Sequence, residues 1–458
     1  MHPPKDAPES QKLRELRRDL DVKIDAYSER MVAMSDWMYH NPEPGFEEFK
    51  AVDLLTGELR KHGFDVETGV PNLDEVWPEF DDLKYVGGLP RSYAGPPGLP
   101  TAFRSRLRGD DAVPTVAFVV EYDALRGDPP FHGCQHNMQG PTGIGAAIAL
   151  AEILVEKNLP GNVWVVGAPA EEVGPPTKAA FARAGYLDGV DIALRSHGTD
   201  WWENATVRDP GGFSFRHITK VKYTFYGQSA HAEQPWAGIS ALDGALLFYH
   251  ASEMLRKRSQ PQFRFHGIID EGGVASNIVP ERASATMAIR HLVDETKVGS
   301  VTPMQAGKLI DEKLRQLDDA ARGAALATGT RLDIDHYGTA VPSISVGALN
   351  DIVFQYAKSY GGIHLKENKV PRHWEETGFL SLKVPGALVG IGTEGIPRYS
   401  EGHSQAHADL TITQAGHKSL VSTAKVMAAT ALRLILEPEL LAAVKAEHAC
   451  RLEEYYRE

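Results

Sequence analysis

The sequence predicts an α/β protein in which a larger domain is interrupted by a smaller one. From residue 113, short apolar runs alternate with amphipathic segments, the pattern of a mainly parallel sheet with helices on both faces. Near residue 213 the runs become half-polar and follow the order βαββαβ, typical of a small α+β domain. Near residue 338 the alternation of apolar runs and amphipathic segments resumes. We therefore assign residues 1–212 and 338–458 to one discontinuous domain, and residues 213–337 to an inserted domain.

The first hundred residues predict two helices and an irregular stretch. Apolar residues recur at helical spacing up to residue 40, where the segment NPEPGFEE (41–48) ends the helix with two prolines and a glycine. A second amphipathic helix ends at Gly63. Residues 71–100 are dense in proline and glycine and show no period. They form either a lid over a site or a plain surface loop.

The elements of the two domains follow in order along the chain. The larger domain continues with a strand, a helix, a strand, a short helix and a strand, at 113–122, 139–159, 162–169, 178–189 and 190–198. The inserted domain has strands and helices at 217–227, 240–257, 263–270, 282–292, 304–327 and 331–338. The larger domain then closes with a long apolar helix at 417–436.

Composition excludes several classes of protein. Of 458 residues, 42% are hydrophobic and 24% charged, which is ordinary globular usage and excludes a fibre or a disordered chain. Lys and Arg total 48 against 61 Asp and Glu, a net charge of −13, so nucleic acid is not expected as a partner. Two cysteines cannot make a disulfide framework. With no apolar leader and no long apolar run, we expect a cytoplasmic protein that does not cross a membrane.

Residues that bind metals follow the ends of successive predicted strands. Cys134 and His136 stand two apart in HGCQHN, Glu171 and Glu172 close the strand segment NVWVVGAPAEE, and His197 closes VDIALRSH. The carboxyl ends of parallel strands meet at one edge of a sheet, so these side chains should converge there. Thiolate, imidazole and carboxylate together suit a divalent transition metal.

Three further segments add candidates. Glu121 and Asp123 end the strand before HGCQHN, at the same edge. Late in the chain, EGHSQAHADL offers His403 and His407, and spacing alone does not choose between them. The inserted domain carries polar candidates far from the others in sequence, which hints at a site completed from elsewhere: His231, Asn277 and Arg290.

Other chemistries have weaker signals. GPTGIG (140–145) is not preceded directly by a strand, as a dinucleotide-binding turn requires, so its glycines more simply allow close helix packing. The sequence contains no Walker A loop, HExxH or GxSxG motif. Cys134 as a thiol nucleophile is the remaining alternative, and the nearby acid pair favours a metal instead.

The motifs together resemble the co-catalytic di-metal amidohydrolases of the aminoacylase and glutamate-carboxypeptidase group, nearest the branch of aminobenzoyl-glutamate hydrolase and aminoacylase-one-like dipeptidases. The resemblance runs from about residue 20 to 440 with motif order preserved. The motifs that carry it are NPEPGFEE (41–48), EYDAL (121–125), HGCQHN (132–137), GAPAEE (167–172), DIALRSHG (191–198), GQSAHAEQPWAGISALD (227–243), GGVASNIVPE (272–281) and GHS (402–404).

The resemblance implies a catalytic larger domain holding two divalent metal ions per subunit, zinc or manganese. It implies a metal-activated water that cleaves the amide of a small substrate bearing a carboxylate: an N-acyl amino acid, an aryl-amide glutamate or a dipeptide. The inserted domain would be a dimerisation domain that lends His231 to the partner of a homodimer. The implied ligands are Cys134, His136, Glu172, His197 and His403, with Glu171 as general base, His231 at the oxyanion, and Asn277 and Arg290 on the substrate.

The sequence departs from that branch at two places. Gln135 stands where the branch usually has glycine, so its side chain would crowd the metal pocket or hydrogen-bond within it. Residues 71–97 resemble an insertion. Two alternative functions also stay open: a non-catalytic binding or assembly protein on the same scaffold, and a specialised dipeptidase. A scaffold has no physical need for Glu171 beside a ligand, which argues against the first.

Overall fold

The computed structural model describes residues 9–70, 73, 95–107, 113–173, 176–197, 204–214, 216–293, 301–371 and 377–457. Most of the predicted excursion at 71–97 lies outside these residues. The chain divides into two compact units. Among the described residues, the first comprises 9–73, 95–214 and 343–453, and the second comprises 216–342 and 454–457.

The first unit is built on a six-stranded sheet in the order β1-β2-β4-β3-β5-β14. The four strands from β4 to β14 run parallel, while β1 and β2 join that edge in antiparallel pairings. Two short pairs, β6 with β13 and β7 with β12, lie apart from it. The strands of this unit are β1 Asp65–Thr68, β2 Phe103–Leu107, β3 Thr115–Val120, β4 Asn162–Gly167, β5 Ile192–Ser196, β6 Val207–Arg208, β7 Gly212–Phe213, β12 Ile344–Ser345, β13 Lys366–Glu367 and β14 Gly386–Val389.

Helices pack around this sheet, and the longest carry apolar faces into the core. A serine hydroxyl caps the first of them, where Ser10 accepts from the Leu13 amide, so the helix begins where an unpaired N–H is satisfied. The helices are α1 Gln11–His40, α2 Phe49–Lys61, α3 His136–Glu156, α4 Thr177–Arg183, α7 Gly347–Ser359, α8 Thr377–Ser381, α9 Gln405–Asp409, α10 Gln414–Leu436 and α11 Pro438–Tyr455.

Helix α3 is the central helix of the first unit and is buried over most of its length. Its glycines permit close approach: a Cβ added to Gly143 would lie 2.3 Å from Val120 Cγ1, and one added to Gly145 would lie 2.3 Å from Met31 Sδ. The start of α3, at His136, is thereby held against the end of β3. Helices α3 and α10 are long and apolar enough to cross a membrane, yet 89% and 78% of their apolar windows are buried within the protein, as in core helices.

The second unit is a four-stranded antiparallel sheet in the order β11-β8-β10-β9, with helices packed on one face. Alternate residues of the strands, such as Tyr223 and Phe225, meet Phe248 and Leu317 of the helices in an apolar core. Along the chain the order is strand, helix, strand, strand, helix, strand: β8 Arg216–Tyr226, α5 Ala241–Lys257, β9 Phe263–Glu271, β10 Arg282–Leu292, α6 Pro303–Thr328 and β11 Arg331–Ala340.

Candidate metal centre

Three parallel strands of the first unit deliver polar side chains to one edge of the sheet. Strand β3 is followed by Glu121 and Asp123, β4 by Glu171 and Glu172, and β5 by His197. The edge is the carboxyl end of the parallel strands, where open α/β sheets bind ligands. The sequence predicted this convergence from the strand ends alone.

The ligand atoms form two groups that share the thiol of Cys134. In the part of the chain that the structure describes, Cys134, His136 and His197 have ligand atoms within 4.8 Å of one another, and so do Cys134, Glu172 and His403. The thiol Sγ lies 3.4 Å from His197 Nε2. Metal–ligand distances of ~2.0–2.3 Å place ligand atoms roughly 3–4 Å apart, so these separations fit bound divalent ions.

A third group links the two acids to the histidine. Nε2 of His136 lies 4.0 Å from Glu171 Oε2 and 4.0 Å from Glu172 Oε1. Glu172 also lies 3.7 Å from His403 Nε2, through Oε2. Glu172 therefore belongs to two of the ligand groups, while Glu171 belongs to one.

The site has buried polar atoms that suit a cation. Among the described residues, neither His136 Nε2 nor Glu172 Oε1 has a hydrogen-bond partner, although both are buried. A buried polar atom without a partner costs about 1–3 kcal/mol, and a bound metal ion would satisfy both atoms. The donor set of thiol, imidazole and carboxylate fits such an ion.

Asp123 orients two of the predicted ligands, His136 and Glu172. Its Oδ1 lies 2.9 Å from His136 Nδ1, and its Oδ2 accepts the backbone N–H of Glu172 at 2.9 Å. One buried carboxylate thus sets the ring orientation of one ligand and the backbone position of another. Burial alone would lower the pKa of His136, but the hydrogen bond that its ring donates to Asp123 and the nearby acids raise it to about 10. The pocket favours a positive charge at this point, whether a proton or a metal ion.

A buried charge cluster lies next to the ligands. Glu121 Oε1 is 2.8 Å from Lys178 Nζ and 2.8 Å from Arg195 Nη1, and all three side chains are buried. Glu121 Oε2 also lies 3.6 Å from His136 Nε2. Burial would raise the pKa of Glu121, yet the Arg195 and Lys178 cations hold it well below its ordinary range. Burial, with the charges of Arg195 and His136, lowers the pKa of His197, so its imidazole stays neutral as a metal ligand requires.

Sequence reasoning missed Lys178 and Arg195. Arg195 interrupts the apolar run of β5, and a charged residue inside a buried strand is costly unless it is paired. That interruption was the available signal. The partner, Glu121, is more than seventy residues away in sequence, so its identity required the fold.

The structure brings His403 to the ligand groups and places His407 differently. His403 adopts a left-handed φ of 61°, and its backbone N–H donates to the Gly133 carbonyl at 3.0 Å. His407 is fully buried, with Nδ1 2.7 Å from the Ser400 hydroxyl, and it joins none of the ligand groups of the described residues. Burial lowers the pKa of His407 to about 4, with a smaller contribution from His403.

Gln135 points its amide at the backbone of the late segment. The residue adopts a left-handed φ of 63° just before helix α3, and its Nε2 donates to the His407 carbonyl at 2.8 Å. The side chain is fully buried. This hydrogen bond and that of His403 with Gly133 join the two loops that carry Cys134 and His403.

The three remaining predicted residues lie in the second unit. His231 forms an isolated β-bridge with Ile278, and the Asn277 carbonyl accepts the Ala232 N–H at 3.0 Å, so His231 and Asn277 are neighbours. The ring Nδ1 of His231 accepts the Glu233 N–H at 3.1 Å. Arg290 lies on strand β10, paired in register with Ile218 and Arg264. The structure thus brings six predicted residues together in the first unit and two in the second.

Comparison with known proteins finds peptidases and hydrolases. A family model described as peptidase family M20/M25/M40 matches residues 110–433. The chain is 31% identical to the Xaa-Arg dipeptidase of Mus musculus over 457 residues, covering 96% of this chain and 93% of that protein. It is 29% identical to one of the two p-aminobenzoyl-glutamate hydrolase chains of Escherichia coli (strain K12), over 61% of this chain and 54% of that one. A Bacillus subtilis structure described as a dinuclear metal binding peptidase from the M20 family superposes with a TM-score of 0.57 at 16% identity, covering 90% and 99% of the two chains.

Proposed function

The chain belongs to peptidase family M20/M25/M40, and from that premise we propose that it is a hydrolase of amide bonds that works with two divalent metal ions per subunit. Its relatives include a protein named Xaa-Arg dipeptidase and one named p-aminobenzoyl-glutamate hydrolase. The observation that carries the dinuclear proposal is the position of Cys134, whose thiol belongs to both ligand groups. A thiolate shared between two groups is suited to bridge two ions.

The first unit supplies the ligands and the base. Cys134, His136 and His197 would hold one ion, and Cys134, Glu172 and His403 the other. When bound, the two ions would acidify a water molecule and polarise the substrate carbonyl. Glu172 is the acid we assign as ligand, because it belongs to two ligand groups and Asp123 anchors its backbone.

Glu171 is the acid we assign as general base. Its carboxylate lies at the edge of the ligand groups, within 4.0 Å of His136, and is nearly buried. It takes the proton from the attacking water and returns it to the leaving amine as the amide bond breaks. Because both transfers use one carboxylate, replacing it removes the base and the acid together.

The proposed substrates are small amides that carry a free carboxylate. A relative that matches almost the whole chain is a dipeptidase named for a C-terminal arginine, so Xaa-Arg dipeptides are the first class to test. Aminobenzoyl-glutamate and N-acyl amino acids are the others. A guanidinium pairs with a carboxylate through two parallel hydrogen bonds, which is the role we propose for Arg290.

Geometry within the second unit supports a homodimer with composite sites. The His231 loop leaves the sheet where Tyr226 pairs with Arg282, and Arg290 lies 290 − 282 = 8 residues further along β10. At a rise of ~3.4 Å per residue that separation is about 27 Å, whereas two extended residues span about 7 Å. A separation of this size favours a site in which His231 and Arg290 come from different subunits.

The surface of the second unit supports the same proposal. Strand β9 is an edge strand, and its Ile268 is 62% exposed. On helix α5, Leu246, Leu247 and Met254 are 51%, 43% and 54% exposed. Unpaired strand edges and clustered exposed apolar residues are features that a protein interface buries. We propose that this edge and helix face form the dimer contact.

A hydrolysis screen tests the proposal. Purified protein, reconstituted with zinc or with manganese, is given Ala-Arg, aminobenzoyl-glutamate and N-acetyl amino acids, and release of the amine is measured. We expect turnover on at least one class, with two metal ions per chain by plasma emission. A protein that holds two ions and cleaves none of these amides would instead favour a binding role.

A further inference from the structure

Glu48 is a fully buried acid that none of the ligand groups uses. It is the last residue of the segment 41–48, directly before helix α2. Its Oε1 accepts the backbone N–H of Ala170 at 2.7 Å. Ala170 is the residue immediately before Glu171, so this hydrogen bond reaches the turn that presents the proposed base.

That turn has an unusual backbone conformation. Ala170 adopts a φ of 57°, in the left-handed region that residues other than glycine rarely occupy. Such a conformation costs roughly 1–2 kcal/mol and persists only when surrounding contacts hold it. A second contact is the Thr177 hydroxyl, which donates to the Pro169 carbonyl at 2.7 Å.

The rest of the segment 41–48 packs on the same turn. A Cβ added to Gly45 would lie 2.9 Å from Ala170 Cα and 2.6 Å from Val173 Cγ2, so the two backbones meet with no room for a side chain. On its other side, the Glu43 carbonyl accepts the Ala124 N–H at 2.8 Å. The segment therefore braces the loop after β3, which contains Asp123, and the loop after β4.

Burial favours the neutral form of the Glu48 carboxyl. Burial, and then the neighbouring Asp123 carboxylate, raise its pKa to about 8. A neutral acid in the core needs no counterion and still accepts a hydrogen bond. A glutamine has the same size and the same acceptor, so it is a matched replacement.

We propose that Glu48 is a positioning residue for Glu171, whose buried carboxyl fixes the left-handed Ala170 turn so that the base carboxylate is held at the ligand groups. The inference rests on the role of Glu171 proposed above. It also gives a function to the segment 41–48, which supplies no metal ligand.

The test compares Glu48→Gln, Glu48→Asp and Glu48→Ala, with Glu47→Ala as control. Glu47 is the neighbouring acid, exposed and paired only with an exposed Arg126 at 3.2 Å among the described residues. We expect Glu48→Ala and Glu48→Asp, which cannot reach Ala170, to lower kcat about 100-fold, because a misplacement of ~1 Å at the reacting groups costs that much. KM and the two bound metal ions should be unchanged. Glu48→Gln should keep kcat within about 3-fold of wild type, since it keeps the hydrogen bond.

Hydrogen exchange supplies a readout that does not depend on turnover. The Ala170 amide should exchange faster in Glu48→Ala and at the wild-type rate in Glu48→Gln. An unchanged kcat in Glu48→Ala, an equal loss in Glu48→Gln, or a loss of metal in parallel with kcat would each overturn the inference. These outcomes all require an active wild type, so an inert wild type would count against the proposed function alone.

Discussion

The predicted functional residues of the two units differ in how they are held. In the first unit the side chains of His136, Glu171 and Glu172 are at most 8% exposed, and Asp123 anchors two of them. In the second unit His231 and Asn277 are exposed and are held mainly by backbone hydrogen bonds. The first set is preorganised for its chemistry within one chain. Among the described residues of its own unit, the second set has no such enclosure.

Electrostatics shows the same contrast. The pairs of Glu121 with Lys178 and Arg195 are buried, so removing one partner would leave an uncompensated charge at a cost of about 3–5 kcal/mol. In the second unit, pairs such as Arg331 with Asp333 are exposed and contribute roughly 0–1 kcal/mol. Removing Lys178 or Arg195 should therefore lower the stability of the protein, while mutations at the exposed His231 should leave its stability unchanged.

The largest effect is expected at Glu171. Glu171→Gln removes the proton acceptor but leaves the two groups that contain Cys134 intact, so kcat should fall by about 10²–10⁴ while both metal ions remain. Steady-state kinetics and plasma emission on the same sample check this. If both ions are lost in this variant, Glu171 is the ligand and the two acids have been assigned in the wrong order.

The second prediction concerns the exposed set. Glu171→Ala and His231→Ala are each expected to be inactive, and mixing them under conditions of subunit exchange should restore activity. Random exchange makes about half the dimers mixed, and one of their two sites is whole, so activity should reach about a quarter of wild type. Exchange is followed with differently labelled chains. Exchange without recovery would show that His231 does not act across the dimer.

The sequence predicts most of the elements because their signals are local. The strand at Asn162–Gly167 and the helix at Ala241–Lys257 follow from apolar periodicity, and the ends of the strands place Glu172 and His197 at one edge of the sheet. The family prediction is confirmed by the match over residues 110–433. Residue roles, the dimer and the cytoplasmic location stay predictions.

What the sequence does not predict depends on contacts between distant segments. The left-handed backbone of Ala170 and the role of Glu48 depend on a hydrogen bond across more than one hundred and twenty residues. The amide of Gln135 meets a carbonyl of the late segment, a partner that no local pattern identifies. Similarly, His403 and His407 look equivalent in sequence, and only the positive φ of His403 together with its hydrogen bond to Gly133 distinguishes them.

The third prediction concerns His403 and His407 and has the smallest expected effect. His403 is the exception among the proposed ligands of the first unit because its side chain is exposed. Its side chain is 50% exposed, yet it joins the ligand group of Cys134 and Glu172. His403→Ala should therefore lower the metal content from two ions to one per chain, because the group of Cys134, His136 and His197 is complete without it. The free energy of unfolding of the metal-free protein should change by less than about 1 kcal/mol, as for most substitutions of exposed residues.

His407→Ala is the matched variant, four residues away and fully buried. It should retain both ions and instead destabilise the metal-free protein by about 2–4 kcal/mol, because it leaves a cavity and removes the partner of the Ser400 hydroxyl. Metal analysis and denaturant unfolding of the two variants therefore give opposite patterns. The reverse pattern, with metal lost in His407→Ala and kept in His403→Ala, would move the ligand from the exposed to the buried histidine. Every proposed ligand would then be substantially buried, in contrast to the exposed His231 and Asn277.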